Sequence, residues 1–534
     1  MDKKYSYQFE ERYTNCTTFI LKIEVIVKFD IIIMALQIDY LAAFINQFGY
    51  KLNNKNKMEE TNVERADELM RKAIFAAAEF QQFNQQQTDH VVEAVYKAGL
   101  NARISLAKMA VEETGMGIWE HKVWKNVIGT QLVYESIKNE KTVGVISDDP
   151  VTGITEIAQP LGPIFAVTPV TNPTSTAMYK ILIALKTRNP IIISAHRGAA
   201  KCTAEAARIC YEAALSAGAP EDCIQVIPSG SREFTHLVMA HPKIALILAT
   251  GGTGLVKAAY SSGNPAIGVG PGNVPVFIDE SADISFAVSN VLSSKTFDNG
   301  TICASEQSIV VVDKIEQKVK EEFERQHCYF LTNEEIKKVE KIAVVEGAMT
   351  MNPLVVGQSV DNIARLAGIT VPEGTKLILA KLAGVGKDYP LSHEVLAPIL
   401  AFYSCKDYNA AINICLDLNY LGGIGHSAGI YANDERVIME FSQLINAGRI
   451  VVNTPTSQGA VGGTFNLLVP SLTLGCGTGG KNITTENITA RHLINVQRVC
   501  RRRINHKFMD ADQRMYFDEN CTEAVLKLEY HKNH

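Results

Sequence analysis

The chain has 534 residues, too many for one compact core, so two or three domains are expected. Hydrophobic residues make up 46% and charged residues 20%, the composition of an ordinary globular protein, and a net charge of -5 argues against a nucleic-acid partner. The 11 cysteines are odd in number and form no C-x-x-C pair, which argues against a disulfide framework or a zinc cluster and for a reducing cytoplasm. With no H-E-x-x-H string either, no metal site is expected.

Residues 1–57 are atypical. Phe19 to Phe48 is rich in Ile, Val, Leu and Phe, but Lys22, Glu24, Lys28, Asp30 and Asp39 interrupt it. It falls short of the about 20 apolar residues that a transmembrane helix needs. Glu10 and Glu11 spoil the basic start of a signal peptide. An accessory segment, an extra packed element and an untranslated upstream extension all remain open. The last, with Met58 as the working start, is preferred.

From Val63 to Phe83 and from Asp89 to Glu113 apolar positions recur at helical spacing. Thr88-Asp89 offers a cap for the second helix, and Gly115 and Gly117 close it. Lys141 to Pro160 alternates around Asp148-Asp149-Pro150 and reads as a hairpin. A βαβ rhythm follows. Ile164–Thr168, Ile191–Ser194, Cys223–Ile227 and Ile244–Ala249 read as strands, with helices at Thr176–Ala184 and Ala199–Ala217. Such alternation predicts an α/β fold with a doubly wound, Rossmann-type parallel sheet, whose ligands bind at the carboxyl ends of the strands. Gly251-Gly252-Thr253-Gly254 sits at such an end and opens a helix at Leu255–Tyr260, where glycines and free N–H groups suit a phosphate. Gly423-Ile424-Gly425 reads as an ordinary loop.

Val274–Ile278 begins a second sheet region, and Ile284–Ser293 is a helix. Then comes Asp298-Asn299-Gly300-Thr301-Ile302-Cys303-Ala304-Ser305-Glu306-Gln307, with an apolar strand at Ser308–Val312. Asn299-Gly300 marks a turn. A thiol on a turn backed by a rigid strand suits a nucleophile, although a lone cysteine is more often a buried core residue. Lys314–Gln326 reads as a charged helix. Leu377–Leu379, Ile399–Phe402 and Ile450–Val452 read as further strands, and Cys500-Arg501-Arg502-Arg503 as the solvated start of a tail.

Several long strings carry a family resemblance. They are Thr171-Asn172-Pro173-Thr174-Ser175-Thr176, Ala249-Thr250-Gly251-Gly252, Lys257-Ala258-Ala259-Tyr260-Ser261-Ser262-Gly263, Gly268-Val269-Gly270-Pro271-Gly272-Asn273, the Cys303 string, and Pro470-Ser471-Leu472-Thr473-Leu474-Gly475-Cys476-Gly477. Over roughly residues 60–500 the chain resembles the CoA-acylating aldehyde dehydrogenases, in particular the aldehyde dehydrogenase half of the bifunctional aldehyde–alcohol dehydrogenases. The resemblance implies a dinucleotide-binding domain at 58–140 and 160–284 and an α/β catalytic domain at 285–460. It also implies a β-hairpin oligomerisation arm at 141–159 and 461–500, and a tail at 501–534. The iron-dependent alcohol dehydrogenase domain of the bifunctional relatives has no counterpart here, so no unaided alcohol production is expected.

The resemblance also assigns roles. Cys303 becomes the nucleophile, Asn172 the oxyanion donor, and His393 a candidate acid or base for the CoA thiol. Thr168, His196, Arg197, Gly251, Gly252, Gly270 and Glu394 fall at cofactor-binding positions, with NAD as cofactor and coenzyme A as co-substrate. The hydrolytic enzymes carry a glutamate base in a Glu-Leu-Gly-Gly string; here Gly268 takes its place, which implies acyl transfer to a thiol. Two departures stand out: Ser194-Ala195 in place of the usual Lys-Pro, and Gly477-Thr478-Gly479-Gly480 without the usual tryptophan. Glu306 has the chemistry of a base, but a structural ion pair behind the cysteine is the preferred reading. The expected reaction is reversible oxidation of acetaldehyde to acetyl-CoA by a cytoplasmic homo-oligomer, with a bacterial microcompartment as another setting. Butyraldehyde, succinate semialdehyde or a sulfonated aldehyde, and a non-catalytic homologue, are the alternatives.

Overall fold

The computed structural model describes residues 61–227, 231–345 and 350–532, with Met34 and Gln37. The readings for residues 1–57 otherwise lie outside the described residues. The chain divides into two units, Met1–Glu68 and Leu69–His534. In the first, residues 61–68 are helical.

The second unit is built on parallel sheets. Strands β1 (Gly144–Asp149) and β2 (Ile154–Pro160) form the expected antiparallel hairpin. Then β3 (Ile164–Val167), β4 (Ile191–Ser194), β5 (Ile224–Ile227), β6 (Leu246–Thr250) and β7 (Ala266–Val269) make one sheet in the order β5-β4-β3-β6-β7. Every pairing in it is parallel. β3 and β4 are buried along their whole length, which is why they read as unbroken apolar runs with no alternation. The strand order reverses between β3 and β6, so the chain ends after these two strands flank the switch point where such sheets bind ligands. The crossover helix Pro173–Lys186 is buried at every residue, with Pro173 in its first turn where no N–H is needed.

A second sheet follows. Its strands are β8 (Val274–Ile278), β9 (Glu306–Val312), β10 (Cys328–Phe330), β13 (Leu377–Lys381), β14 (Ile399–Cys405), β15 (Gly425–Tyr431) and β16 (Ala447–Val452); β11 (Val344–Val345) and β12 (Thr350–Met351) pair separately. The order is β10-β13-β14-β9-β8-β15-β16, again all parallel. Its core runs from Val274 to Ile445, so β8 belongs to this sheet although the sequence reading placed residues up to 284 in the first domain. Strand β17 (Ile494–Cys500) returns to pair antiparallel with β2. Only that strand joins the arm. The segment before it, read from sequence as return arm and active-site edge, takes the second of these places: Val461 and Leu474 share a small core with Ile302 and Ala304 beside Cys303.

Two local readings change as well. The helix expected over Asp89–Glu113 is two helices, Gln85–Asn101 and Arg103–Thr114. Its cap is a capping box made by Asn84 and Gln87, because Thr88 already lies inside the first turn and donates its hydroxyl to Asn84 O. Gly115 ends the second helix at φ 66°, as its position predicts. Gly423 and Ile424 form the expected turn, but Gly425 already opens buried strand β15. Gly425 is required there, since a Cβ would fall 1.8 Å from Cys476 O.

Candidate active site

The helix Ile284–Thr296 ends in a tight turn in which Asp298 (φ 51°) and Asn299 (φ 52°) adopt left-handed backbone. Asp and Asn tolerate that conformation better than other non-glycine residues. Gly300 follows at φ 75°, pressed so closely on Ala397 that a Cβ would lie 2.9 Å from its carbonyl oxygen. This turn delivers Cys303 to the amino end of β9. The thiol is half-buried and lines a cavity whose walls are Ile128, Ile302, Val461, Leu472 and Leu474. Its polar corner is Cys303, Asn172, Lys125 and Gln458. Two residues singled out from sequence, Cys303 and Asn172, are thus brought together.

The sequence reading missed what lies behind them. Lys122 and Lys125, on the helix Trp119–Val127, reach the buried Asp298 carboxylate at 2.9 and 2.5 Å. Lys125 Nζ also donates to Thr301 Oγ1 at 2.8 Å and to Asn172 Oδ1 at 2.5 Å. Lys122 Nζ donates to Thr171 O, and Ile118 N–H to Asp298 Oδ1. Burial pushes Lys125 down to about 8, against the pull of Asp298. Burial alone would push the Asp298 carboxyl up, but Lys125 and Lys122 hold it below its usual range. Two ammonium groups against one carboxylate leave a positive balance beside the cavity. No sequence signal marks these lysines, which look like any solvated helix face.

Burial pushes the Cys303 thiol up to about 12, with Glu394 and Cys476 adding to the rise and Arg449 opposing it. The resting group is therefore a thiol, and attack needs its proton removed. Gly272 packs directly on the Cys303 turn: a Cβ there would stand 2.5 Å from Cys303 O and 3.0 Å from His426 Cγ. His426 is thus a second residue the sequence reading missed. It is fully buried, burial pushes it down to about 3, and its Nε2 has no hydrogen-bond partner. His393, the histidine singled out from sequence, is half-buried with an unpartnered Nε2 and is not among the cavity-lining residues. Glu306 differs from expectation. Its partner is Thr456 N–H at 2.9 Å, so it caps the short helix Thr456–Val461, and among the described residues it makes no ion pair within 4 Å.

Of the positions expected from sequence to bind the cofactor, all but Glu394 lie at the carboxyl ends of the first sheet, and Glu394 precedes β14 of the second. Thr168, just past β3, carries a buried hydroxyl with no partner. Gly252 caps the helix Thr253–Tyr260 with no side chain on its free N–H groups, and a Cβ on Gly252 or Gly270 would meet nothing within 4 Å. An open glycine edge, free amides and an orphaned hydroxyl fit a dinucleotide phosphate. Glu394 Oε1 accepts Gly272 N–H at 3.0 Å, and burial pushes its carboxyl up to about 7. After β4, His196 Nδ1 accepts Gly198 N–H, and Arg197 is exposed. Gly268 lies in β7, where the Tyr260 hydroxyl bonds both its N–H and its carbonyl, and Asn482 Nδ2 donates to the same oxygen.

A switch-point nucleotide sheet joined to a second parallel sheet that presents a cysteine beside an asparagine defines a two-domain α/β protein of the dehydrogenase type. The aldehyde dehydrogenase family profile matches residues 52–466, and the chain belongs to that family. It is 47% identical to the bifunctional aldehyde-alcohol dehydrogenase of Escherichia coli over 473 residues, covering 88% of this chain and 53% of that protein. The chain thus spans about half the length of that relative. It resembles the crystal structure of an acetylating aldehyde dehydrogenase from Geobacillus thermoglucosidasius at a TM-score of 0.81 and 47% identity, covering 84% of this chain and 98% of that one. It also resembles a Rhodopseudomonas palustris propionaldehyde dehydrogenase, solved with CoA and an acylated cysteine, at a TM-score of 0.71 and 26% identity, covering 82% and 97%.

Proposed function

We propose that the chain catalyses the reversible, NAD- and CoA-dependent oxidation of a short-chain aldehyde, acetaldehyde first, to its acyl-CoA. The observation that carries this reading is the convergence of Cys303 and Asn172 on one apolar cavity, in a chain with Gly268 at the hydrolytic base position. Cys303 Sγ, its proton passed to solvent through the cavity it lines, bonds the aldehyde carbon. The carbonyl oxygen becomes an anion and takes hydrogen bonds from Asn172 Nδ2 and the Cys303 N–H; one such donor is worth about 3 kcal/mol. NAD, held by Thr168, Gly251, Gly252, Gly270 and Glu394 with His196 and Arg197 at the adenosine edge, supplies a hydride acceptor when bound. What remains on Cys303 is a thioester.

Water is a poor partner for that thioester, because no carboxylate stands at Gly268. A thiol needs less help, since it reaches its anion more readily. The incoming sulfur bonds the acyl carbon, the Cys303 bond breaks, and the thiol proton goes to an imidazole. His393 and His426 are the candidates. Neither ring lines the cavity and each has an unpartnered Nε2; burial pushes both imidazoles down, His426 as far as about 3, so the half-buried His393 is the better proton acceptor.

The apolar walls favour an uncharged aldehyde over succinate semialdehyde. The cation in that lining is Lys125, whose hydrogens are committed to Asp298, Thr301 and Asn172. We further propose that the β1-β2-β17 sheet serves subunit pairing and that the protein works in the cytoplasm. Among the described residues no helix is long and apolar enough to cross a membrane.

Following thioester absorbance with acetaldehyde, NAD and CoA tests the reading. Acyl-CoA should form, and Cys303→Ala should abolish it. Free acid produced at an equal rate without CoA would refute it, as would a loss of less than about tenfold in Cys303→Ala.

A further inference from the structure

Lys122 and Lys125 lie three residues apart, so both project from one face of their helix. The two side chains and Asp298 are almost completely shielded from solvent. An ammonium has three hydrogens, and Lys125 faces three acceptors at ordinary or short distances: Asp298 Oδ2 at 2.5 Å, Asn172 Oδ1 at 2.5 Å and Thr301 Oγ1 at 2.8 Å. Its capacity is filled and its Nζ is pinned from three sides.

The consequence falls on Asn172. A carboxamide has one accepting end and one donating end, and only the oxygen can face an ammonium. Asn172 stands at the N-cap of its helix but makes no side-chain capping bond, so the cap does not orient it. The contact with Lys125 does. With Oδ1 engaged, Nδ2 is the end left for the cavity that Asn172 and Cys303 line. The same ammonium holds Thr301 and Asp298 on the turn that carries Cys303. One side chain therefore sets the amide and the nucleophile's turn against each other.

We propose that Lys125 is a positioning residue for thioester formation, which holds the Asn172 carboxamide with Nδ2 toward the attacked carbonyl oxygen. This rests on the roles proposed above for Cys303 and Asn172. Lys125 does not touch the reacting atoms and acts through the amide. Its removal leaves an oxyanion donor present but free to turn its oxygen to the cavity.

The test is a double-mutant cycle in the full chain with Lys125→Met and Asn172→Ala, read by single-turnover thioester formation from acetaldehyde and NAD. Lys125→Met should slow acylation by about 10- to 100-fold, less than the ~10²- to 10³-fold expected for removing a donor outright. The KM for NAD should stay near the parent value. The double variant should be no slower than Asn172→Ala by more than about twofold, the scatter expected of independent sites. Losses that multiply, or a parental acylation rate in Lys125→Met, would overturn the proposal. Should Lys125→Met fail to fold, the cycle is repeated with Lys125→Met/Asp298→Asn, which removes one charge of each sign. Cys303→Ala is measured alongside. Aldehyde oxidation surviving in that variant counts against the nucleophile itself, a failure separate from anything Lys125→Met shows.

Discussion

Gly272→Ala adds one methyl group against the turn that carries Cys303. A Cβ at this position would lie 2.5 Å from the Cys303 carbonyl oxygen and 3.0 Å from His426 Cγ and Nδ1, whereas ordinary contact begins at 3.4 Å. The nearer obstacle is backbone and cannot rotate aside, so the cysteine turn must move by about 0.9 Å, the difference between 3.4 and 2.5 Å. The turn resists, because Ser305 N–H bonds Ile302 O at 2.9 Å and Thr301 is tied to Asp298 and Lys125. A misplacement near 1 Å of reacting groups costs about 10²-fold in rate. Overpacking of one methyl costs about 1–3 kcal/mol of stability. Gly272→Ala should therefore remain folded, with kcat for acyl-CoA formation down about 100-fold. The assay is steady-state thioester absorbance, with thermal unfolding and the rate of Cys303 alkylation measured on the same preparation. A variant of parental kcat and parental alkylation rate would refute the placement of Gly272 against the nucleophile's turn.

Three further outcomes follow from the site. Burial pushes Glu394 up to about 7, so its carboxylate, and with it the grip on the cofactor ribose proposed for it, is gained as pH rises through that value; KM for NAD should fall across it, and Glu394→Gln should flatten the profile. The stability effect has the opposite sign. The folded state holds this proton more tightly, so the contribution is present below about 4.5 and declines as pH climbs towards 7, which a pH series of unfolding midpoints in Glu394→Gln and parent checks. Gly268→Glu should not create a hydrolytic enzyme, because its Cβ would meet Val256 Cγ1 at 2.8 Å and the Tyr260 ring at 3.3 Å; a lower unfolding temperature without CoA-independent acid is expected, and efficient acid formation would contradict it.

Much of the first sheet was legible because its strands are short apolar runs between turn signals. Ile191–Ser194 agrees to the residue, and Ile164–Val167 and Ile224–Ile227 agree to within one. A strand buried on both faces needs a continuous apolar string, and such strings are visible without knowing their neighbours. Strand β15 was not legible. It reads Gly-His-Ser-Ala-Gly-Ile-Tyr, whose first five residues are poor β-formers placed by close approach, as at Gly425 against Cys476 and Gly429 against Thr456 and Val276. The arm shows the same limit: the hairpin is local and was read, while the extent of its returning partner depends on β2, more than 300 residues away.

The amino-acid order alone determined the doubly wound sheet, the cysteine on its turn before β9, the family, and the missing carboxylate at Gly268. Each is carried by a short contiguous string, with its own periodicity or motif. Only the tertiary structure decided which charges and rings surround that cysteine. Lys125 meets Asn172 across 47 positions and Asp298 across 173, and His426 arrives on a glycine-rich strand. A buried lysine and a solvated one look identical in sequence; what separates them is whether a carboxylate from elsewhere in the chain is waiting when water is removed.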